Sequence, residues 1–369
     1  GIGCRSRMIT RRPVRDDLER IVAWYLATAF GRWEGPGVRP YYADPARVGR
    51  FAVDLDAVAA RDPDALFQVL VTLAAYQSRR DVDIMAIQRA MPARKAAAMT
   101  SSRRLQVLVE NSPCRNLRDA STFDRACDVR RDFARNRATC DTRPRTACHV
   151  KDATSAIGRM GDLGKTPTSA WLHLGPSGLA RWFADACAAD RDPHARAVAM
   201  VQRVAAIYRI GVKLASMFVS ALSVPELGIG VAAWSPELDG SRIIVVDTNV
   251  GHAIRSWRRG RGADTYAAHA RWFVAAANEI NLSLLGAGLP RSSPRFVQQA
   301  VYVFRSRSNR IAHGDTCADA PCVGCPSPLC PFRGTWAASE IRPDRANHRR
   351  MDREPSSLPP RDATRGRQS

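Results

Sequence analysis

Apolar residues return every three or four positions through most of the chain, and strict alternation is nearly absent. This spacing predicts helices, not strands. VRDDLERIVAWYLATAF (14–30) is the first such run, and a second helix is expected over 45–60. Asp62 or Asp64 caps the next, ALFQVLVTLAAYQSRRDVDIMAIQRAM (65–91), which is nearly all apolar until Gln77 and basic after it. Residues 110–168 lose the period and read as a long loop or an insertion. Helical spacing resumes over 169–189 and 194–210, and again over 263–285 and 293–313. IIVVDTNVGHAIRSW (243–257) differs: four apolar residues, an acid, then a helical pattern. From about 338 the chain is charged and weakly apolar, which predicts a disordered basic tail. The expected fold class is all-α.

Composition adds a partner to this picture. Apolar residues are 45% of the 369, enough to bury a core. The net charge of +21 points to a polyanion, with nucleic acid the first candidate and an anionic membrane surface the second. No apolar window of membrane-spanning length occurs, and no export signal is recognisable near the N-terminus. A cytoplasmic, nucleoid-associated location in a bacterial cell and a monomeric state are expected. The ten cysteines are then not read as a disulfide framework.

Of the 56 basic residues only four are lysines: Lys95, Lys151, Lys165 and Lys213. Lys213 stands in VQRVAAIYRIGVKLASMFVSAL, two apolar helical runs joined at RIGV. That pattern predicts a helix, a tight turn at Gly211, and a second helix whose N-terminal N–H groups suit a phosphate. A primary amine can form a Schiff base and a guanidinium cannot, which is a chemical reason for lysine here; a lysine that snorkels or binds phosphate is the plainer reading.

Tyr208–Ala215 (YRIGVKLA) resembles the L-P-G-V-G-x-K-T-A hairpin of the endonuclease III-like, helix-hairpin-helix (HhH-GPD) superfamily of DNA glycosylases. Gly211 matches the second glycine and Lys213 the lysine nucleophile, while Arg209 stands where the first glycine belongs. Val246–Val250 (VDTNV) is similar to the motif V-D-T-H-V, which implies that Asp247 is the catalytic carboxylate. Read from the residues alone, Asp247 ends an apolar run and opens a helix, so it is an N-cap that helix N–H groups would hold ionised. LAAYQ resembles L-L-S-A-Q-T, which implies that Gln77 enters the DNA stack as a base is extruded, with Arg79 and Arg80 on phosphates. Arg209 and Gly211 complete the expected DNA contacts.

Cys317, Cys322, Cys325 and Cys330 are spaced C-x4-C-x2-C-x4-C. Four thiolates this close suit zinc or a four-iron cluster. The resemblance favours a 4Fe-4S cluster in a loop that grips DNA, zinc being the alternative. Cys114, Cys127, Cys140 and Cys148 with His149 are spaced too irregularly for a second metal site and read as thiols of a loop. His252 and His313 read as structural.

The resemblance implies two helical domains with the DNA cleft between them. Residues 1–60 would pack with the cluster domain; 61–225 would form a six-helix barrel carrying the hairpin, with 110–168 inserted. Residues 226–335 would hold the catalytic Asp and the cluster, and 336–369 the tail. The implied activity is that of a DNA glycosylase and AP lyase of base excision repair acting on double-stranded DNA, with an oxidised pyrimidine as the default lesion. The alternatives are an 8-oxoguanine or modified-base glycosylase, or a catalytically silent, metal-stabilised DNA-binding protein.

Overall fold

A computed structural model describes residues 13–27, 40–77, 79–132, 137–139, 148–157, 162–175, 178–227 and 231–306. Among these the chain is overwhelmingly helical. After α1 (Val14–Trp24) come α2 (Pro45–Val48), α3 (Leu55–Ala59), α4 (Pro63–Ala74), α5 (Asp81–Ala90), α6 (Ala93–Thr100), α7 (Ser102–Glu110) and α8 (Ala120–Ala126). A short antiparallel hairpin, β1 (Arg130–Asp132) with β2 (Arg137–Thr139), pairs Arg131 with Ala138. Then follow α9 (His149–Ala156), α10 (Thr166–Leu174), α11 (Gly178–Ala189), α12 (Pro193–Ala205), α13 (Gly211–Ser223), α14 (Thr248–Arg258), α15 (Tyr266–Ala277) and α16 (Pro294–Arg305). No helix among the described residues is long and apolar enough to cross a membrane.

Two large apolar cores organise most of these helices, and a smaller one, with Ile84, Met99 and Ile157, joins α5, α6 and the end of α9. The larger is built on α4 and α10–α13, with Phe218, Leu222 and Trp234 fully buried. Trp234 meets Phe218 edge-on at 5.5 Å, and its N–H donates to Leu222 O at 2.8 Å, pinning the segment after α13 back onto that helix. Burying a side chain of this size contributes roughly 2–3 kcal/mol. The second core joins α1 to α14, α15 and α16 through Leu18, Val22, Ile254, Phe273 and Phe296. The first described helix therefore packs with the last three, across most of the sequence. Val224 and Leu227, just past the end of α13, already belong to this second core, so the chain crosses between the cores directly after the hairpin helix.

Three expectations change. The run 65–91 is two helices, with residues 75–77, 79 and 80 non-helical between them; the Tyr76 hydroxyl donates to Gln88 Oε1 at 3.3 Å and Gln88 Nε2 donates to Thr72 O at 3.1 Å, folding α5 back against α4. The run 45–60 is broken by a 3-10 turn at Gly49–Phe51, where Gly49 has φ +58° and an added Cβ would lie 2.8 Å from Arg89 O. The stretch 110–168, read as a long loop or an insertion, is partly folded and so is not a plain loop. It contains α8, α9, the β-hairpin and a small core of Leu117, Phe123, Cys127, Val129 and Val150, too few apolar positions to set a visible period. Cys114 and Cys148 are free thiols against that core. Cys140, His313, Cys317, Cys322, Cys325, Cys330 and the tail lie outside the described residues.

Candidate active site

The hairpin begins with α12, capped by Asp192, whose carboxylate accepts from His194 N and Ala195 N. Ile207 and Ile210 are buried and anchor the turn in the larger core. Two residues of the turn are left-handed: Arg209 with φ +65° and Gly211 with φ +60°. At Gly211 an added Cβ would meet nothing within 4 Å, so glycine is required by conformation, not by space. Arg209 carries its Cβ into the left-handed region at a cost of about 1 kcal/mol. Its surroundings hold it there. The guanidinium pairs with Asp162 at 3.2 Å, and the Arg209 carbonyl accepts from Gln77 Nε2 at 3.0 Å. Tyr208 N–H donates to Ser169 Oγ at 3.1 Å, and the Tyr208 hydroxyl donates to Asp162. Beneath it the ammonium of buried Lys165 stands 4.0 Å from the Tyr208 ring.

The stretch once read as a loop thus supplies the carboxylate, Asp162, that braces the hairpin turn. Nothing in the sequence pattern marks that residue.

Gln77 ends the α4 segment with its amide held by Ala74 O at 2.7 Å and by the hairpin carbonyl. It therefore lies against the hairpin in this state. Arg79 is partly buried; Arg80 is exposed, pairing with Asp83 at 2.8 Å. Gln77, Arg79 and Arg80 follow α4 directly, and the bond to Arg209 brings that segment to the hairpin.

Lys213 lies in the first turn of α13, beside exposed Gly211 and Val212. Its ammonium is partly buried and donates to Tyr76 O at 3.3 Å, the carbonyl next to Gln77. Asp247 is the N-cap of α14, accepting from Val250 N at 2.7 Å. Its side chain is partly buried. Desolvation pushes its pKa up to about 6; the helix N–H groups and the Lys213 ammonium oppose that rise, and the Asp81 carboxylate adds to it. The expectation that helix N–H groups would hold Asp247 ionised is thus only partly met, because burial outweighs them.

Lys213 and Asp247, carried by different helices, therefore act on each other's charge at one place. Asp81, at the first turn of α5, joins them and accepts from the Tyr302 hydroxyl of α16. Sequence reasoning missed both Asp81 and Tyr76. The only available signal was their position beside Gln77, since their approach to Asp247 and Lys213 is made by tertiary packing.

A carboxyl that titrates near 6 can take up or release a proton at neutral pH. Ionised, it can stabilise positive charge in a site shielded from water. An amine a few residues from a helix N-terminus that is open to an anion completes the arrangement. Among the described residues no group of three or more His, Cys, Asp or Glu side chains is placed to hold a metal ion. No protein-family model, curated protein or solved structure matches the chain.

Proposed function

We propose that the chain is a helix-hairpin-helix DNA glycosylase with AP-lyase activity. The observation that carries this reading is the convergence of Lys213, one of four lysines in the chain, with the pKa-shifted carboxyl of Asp247. Supporting it are the left-handed pair Arg209 and Gly211 at the mouth of α13 and the net charge of +21.

In the proposed reaction a duplex lies against the hairpin, with a phosphate at the α13 N-terminus. The target nucleotide leaves the stack and Gln77 exchanges its hydrogen bonds to Ala74 O and Arg209 O for the vacated position. Asp247, ionised, stabilises the positive charge that builds at C1′. The deprotonated Lys213 amine adds to C1′, the C1′–N bond breaks, and the base leaves with the electron pair and takes a proton. Opening of the sugar ring gives the imine. Loss of a C2′ proton then breaks the C3′–O bond and expels the 3′ phosphate. An oxidised pyrimidine is the proposed lesion, with 8-oxoguanine second.

Cys317, Cys322, Cys325 and Cys330 are proposed to hold a 4Fe-4S cluster, on the strength of the resemblance together with their spacing, which by itself suits zinc as well. No step above passes through it. A visible absorbance shoulder bleached by dithionite separates it from zinc.

The decisive experiment is borohydride trapping on a duplex with an abasic site. A covalent adduct present in the wild type and absent in Lys213→Ala supports the reading. Tight, salt-sensitive binding with no adduct in the wild type would leave a DNA-binding protein without chemistry, a reading the strained Arg209 favours. A panel of lesion-containing duplexes then identifies the base.

A further inference from the structure

Behind Lys213 and Asp247 lies a second layer of polar contacts joining the helix of one to the loop of the other. Ser216 and Ser220 stand three and seven residues beyond Lys213, on the same face of α13. The Tyr266 hydroxyl, from α15, donates to Ile244 O at 2.7 Å, accepts from Val246 N–H at 3.3 Å, and lies 3.5 Å from Ser216 Oγ. One oxygen thus meets both main-chain groups of the segment that ends at Asp247, and the helix that carries Lys213. Deeper in, buried Arg295 of α16 donates Nε to Ser220 Oγ at 3.0 Å and Nη1 to Gln299 Oε1 at 3.0 Å. Gln298 Oε1 accepts from Val245 N–H at 3.3 Å. Residues 244–246 lie outside any helix or sheet, so these side chains supply the hydrogen bonds that regular structure would otherwise give.

We propose that Tyr266 is a positioning residue for the Lys213–Asp247 pair: its hydroxyl fixes the spacing between the helix that bears the amine and the segment that bears the carboxylate. A tyrosine needed only for packing requires one partner for its hydroxyl. This one has partners on both halves of the site, none more than four residues from Lys213 or Asp247. Burial raises the Tyr266 pKa, so the hydroxyl remains a donor to Ile244 O throughout the neutral range.

The inference rests on the glycosylase–lyase reading for its catalytic consequence, but not for its geometry. The groups that act on Asp247 are Lys213 from α13 and Asp81 from α5, with Tyr266 from α15 and Arg295 from α16 behind them. Loss of the hydroxyl frees residues 244–246 and lets water reach the carboxyl, so the Asp247 titration moves down from about 6 towards the ordinary range.

Two measurements on the full chain test this. The first is the carbon-13 NMR titration of the Asp247 carboxyl, assigned with Asp247→Asn. The second is single-turnover cleavage of an abasic-site duplex across pH. Tyr266→Phe is expected to lower the Asp247 titration and its acid limb in the rate profile, and to slow cleavage by about tenfold or more while duplex affinity is unchanged. Ser216→Ala, which removes only the α13 end of the bridge, is expected to give a smaller change of the same sign. Unchanged titration and rate in Tyr266→Phe would overturn the proposal, as would a rate loss matched by lost affinity. If Tyr266→Phe does not fold, an unchanged titration in Ser216→Ala does so instead. A wild type that neither cleaves nor traps defeats the glycosylase reading; the NMR titration still decides whether Tyr266 holds the pair.

Discussion

Replacing Asp247 with Asn separates the chemical role proposed for this residue from what it costs the fold. Asn keeps the shape and can still accept from Val250 N–H as an N-cap, so only the charge is lost. Desolvation lifts the Asp247 pKa from 3.8 to about 6. A folded value above the unfolded one means that ionisation is easier in the unfolded chain. The penalty is absent below the unfolded value and grows as pH rises through about 6. A rise of about two units corresponds to roughly 3 kcal/mol at about pH 8. For a chain of this size that is a gain of roughly 4 °C in Tm for Asp247→Asn at about pH 8. Thermal unfolding of both proteins, followed by circular dichroism at about pH 8 and again at about pH 4.5, measures it. The Tm gap should be wide at the higher pH and about a third as wide at the lower, while the borohydride-trapped adduct falls steeply in the variant. A gap that does not change with pH, or an Asn variant less stable at the higher pH, would refute the reasoning. Either result would mean that the helix N–H groups and the Lys213 ammonium outweigh burial.

At Arg209 the usual order of Ala over Gly should invert: Arg209→Gly is expected to be more stable than Arg209→Ala by about 1 kcal/mol in urea unfolding, because both lose the Asp162 pair and only Gly relieves φ +65°. Gly240→Ala should lower Tm, since the new Cβ would lie 2.3 Å from Ser223 Oγ and 3.0 Å from Val224 Cγ2. The cost is about 1–3 kcal/mol, and Gly240→Ala with Ser223→Ala should recover part of it. His149, partly buried with Nε2 3.1 Å from Thr168 Oγ1, has its pKa pushed down to about 4 by desolvation. Its contribution to stability is therefore full above its unfolded value near 6.5 and is lost as pH falls through about 4, a loss of roughly 2–3 kcal/mol. His149→Asn should flatten that acid-side decline in urea midpoints.

The helices were legible where one face is buried, because a buried face leaves a period in the sequence, and α4 was legible as an apolar run because it is buried on nearly all sides. The hairpin was legible for a different reason: Gly211 and the apolar Ile207 and Ile210 write their local geometry into adjacent positions. What escaped was whatever depends on partners far along the chain. Ala75 and Tyr76 are as apolar as the helix before them, and only the folding of α5 back onto α4 through Gln88 makes the Tyr76 carbonyl a partner for Lys213. Asp162 sits in a stretch without pattern, yet it receives both the Arg209 guanidinium and the Tyr208 hydroxyl. Its effect bears on the one departure in the hairpin. A left-handed arginine costs about 1 kcal/mol, an amount that one partly exposed ion pair and one carbonyl hydrogen bond can offset together. Both contacts leave Arg209 next to the open end of α13, where a glycine would offer no side chain to an anion. The arginine that departs from the hairpin pattern therefore places a cation beside the open end of α13, and Asp162 and Gln77 are what make its backbone tolerable to the fold.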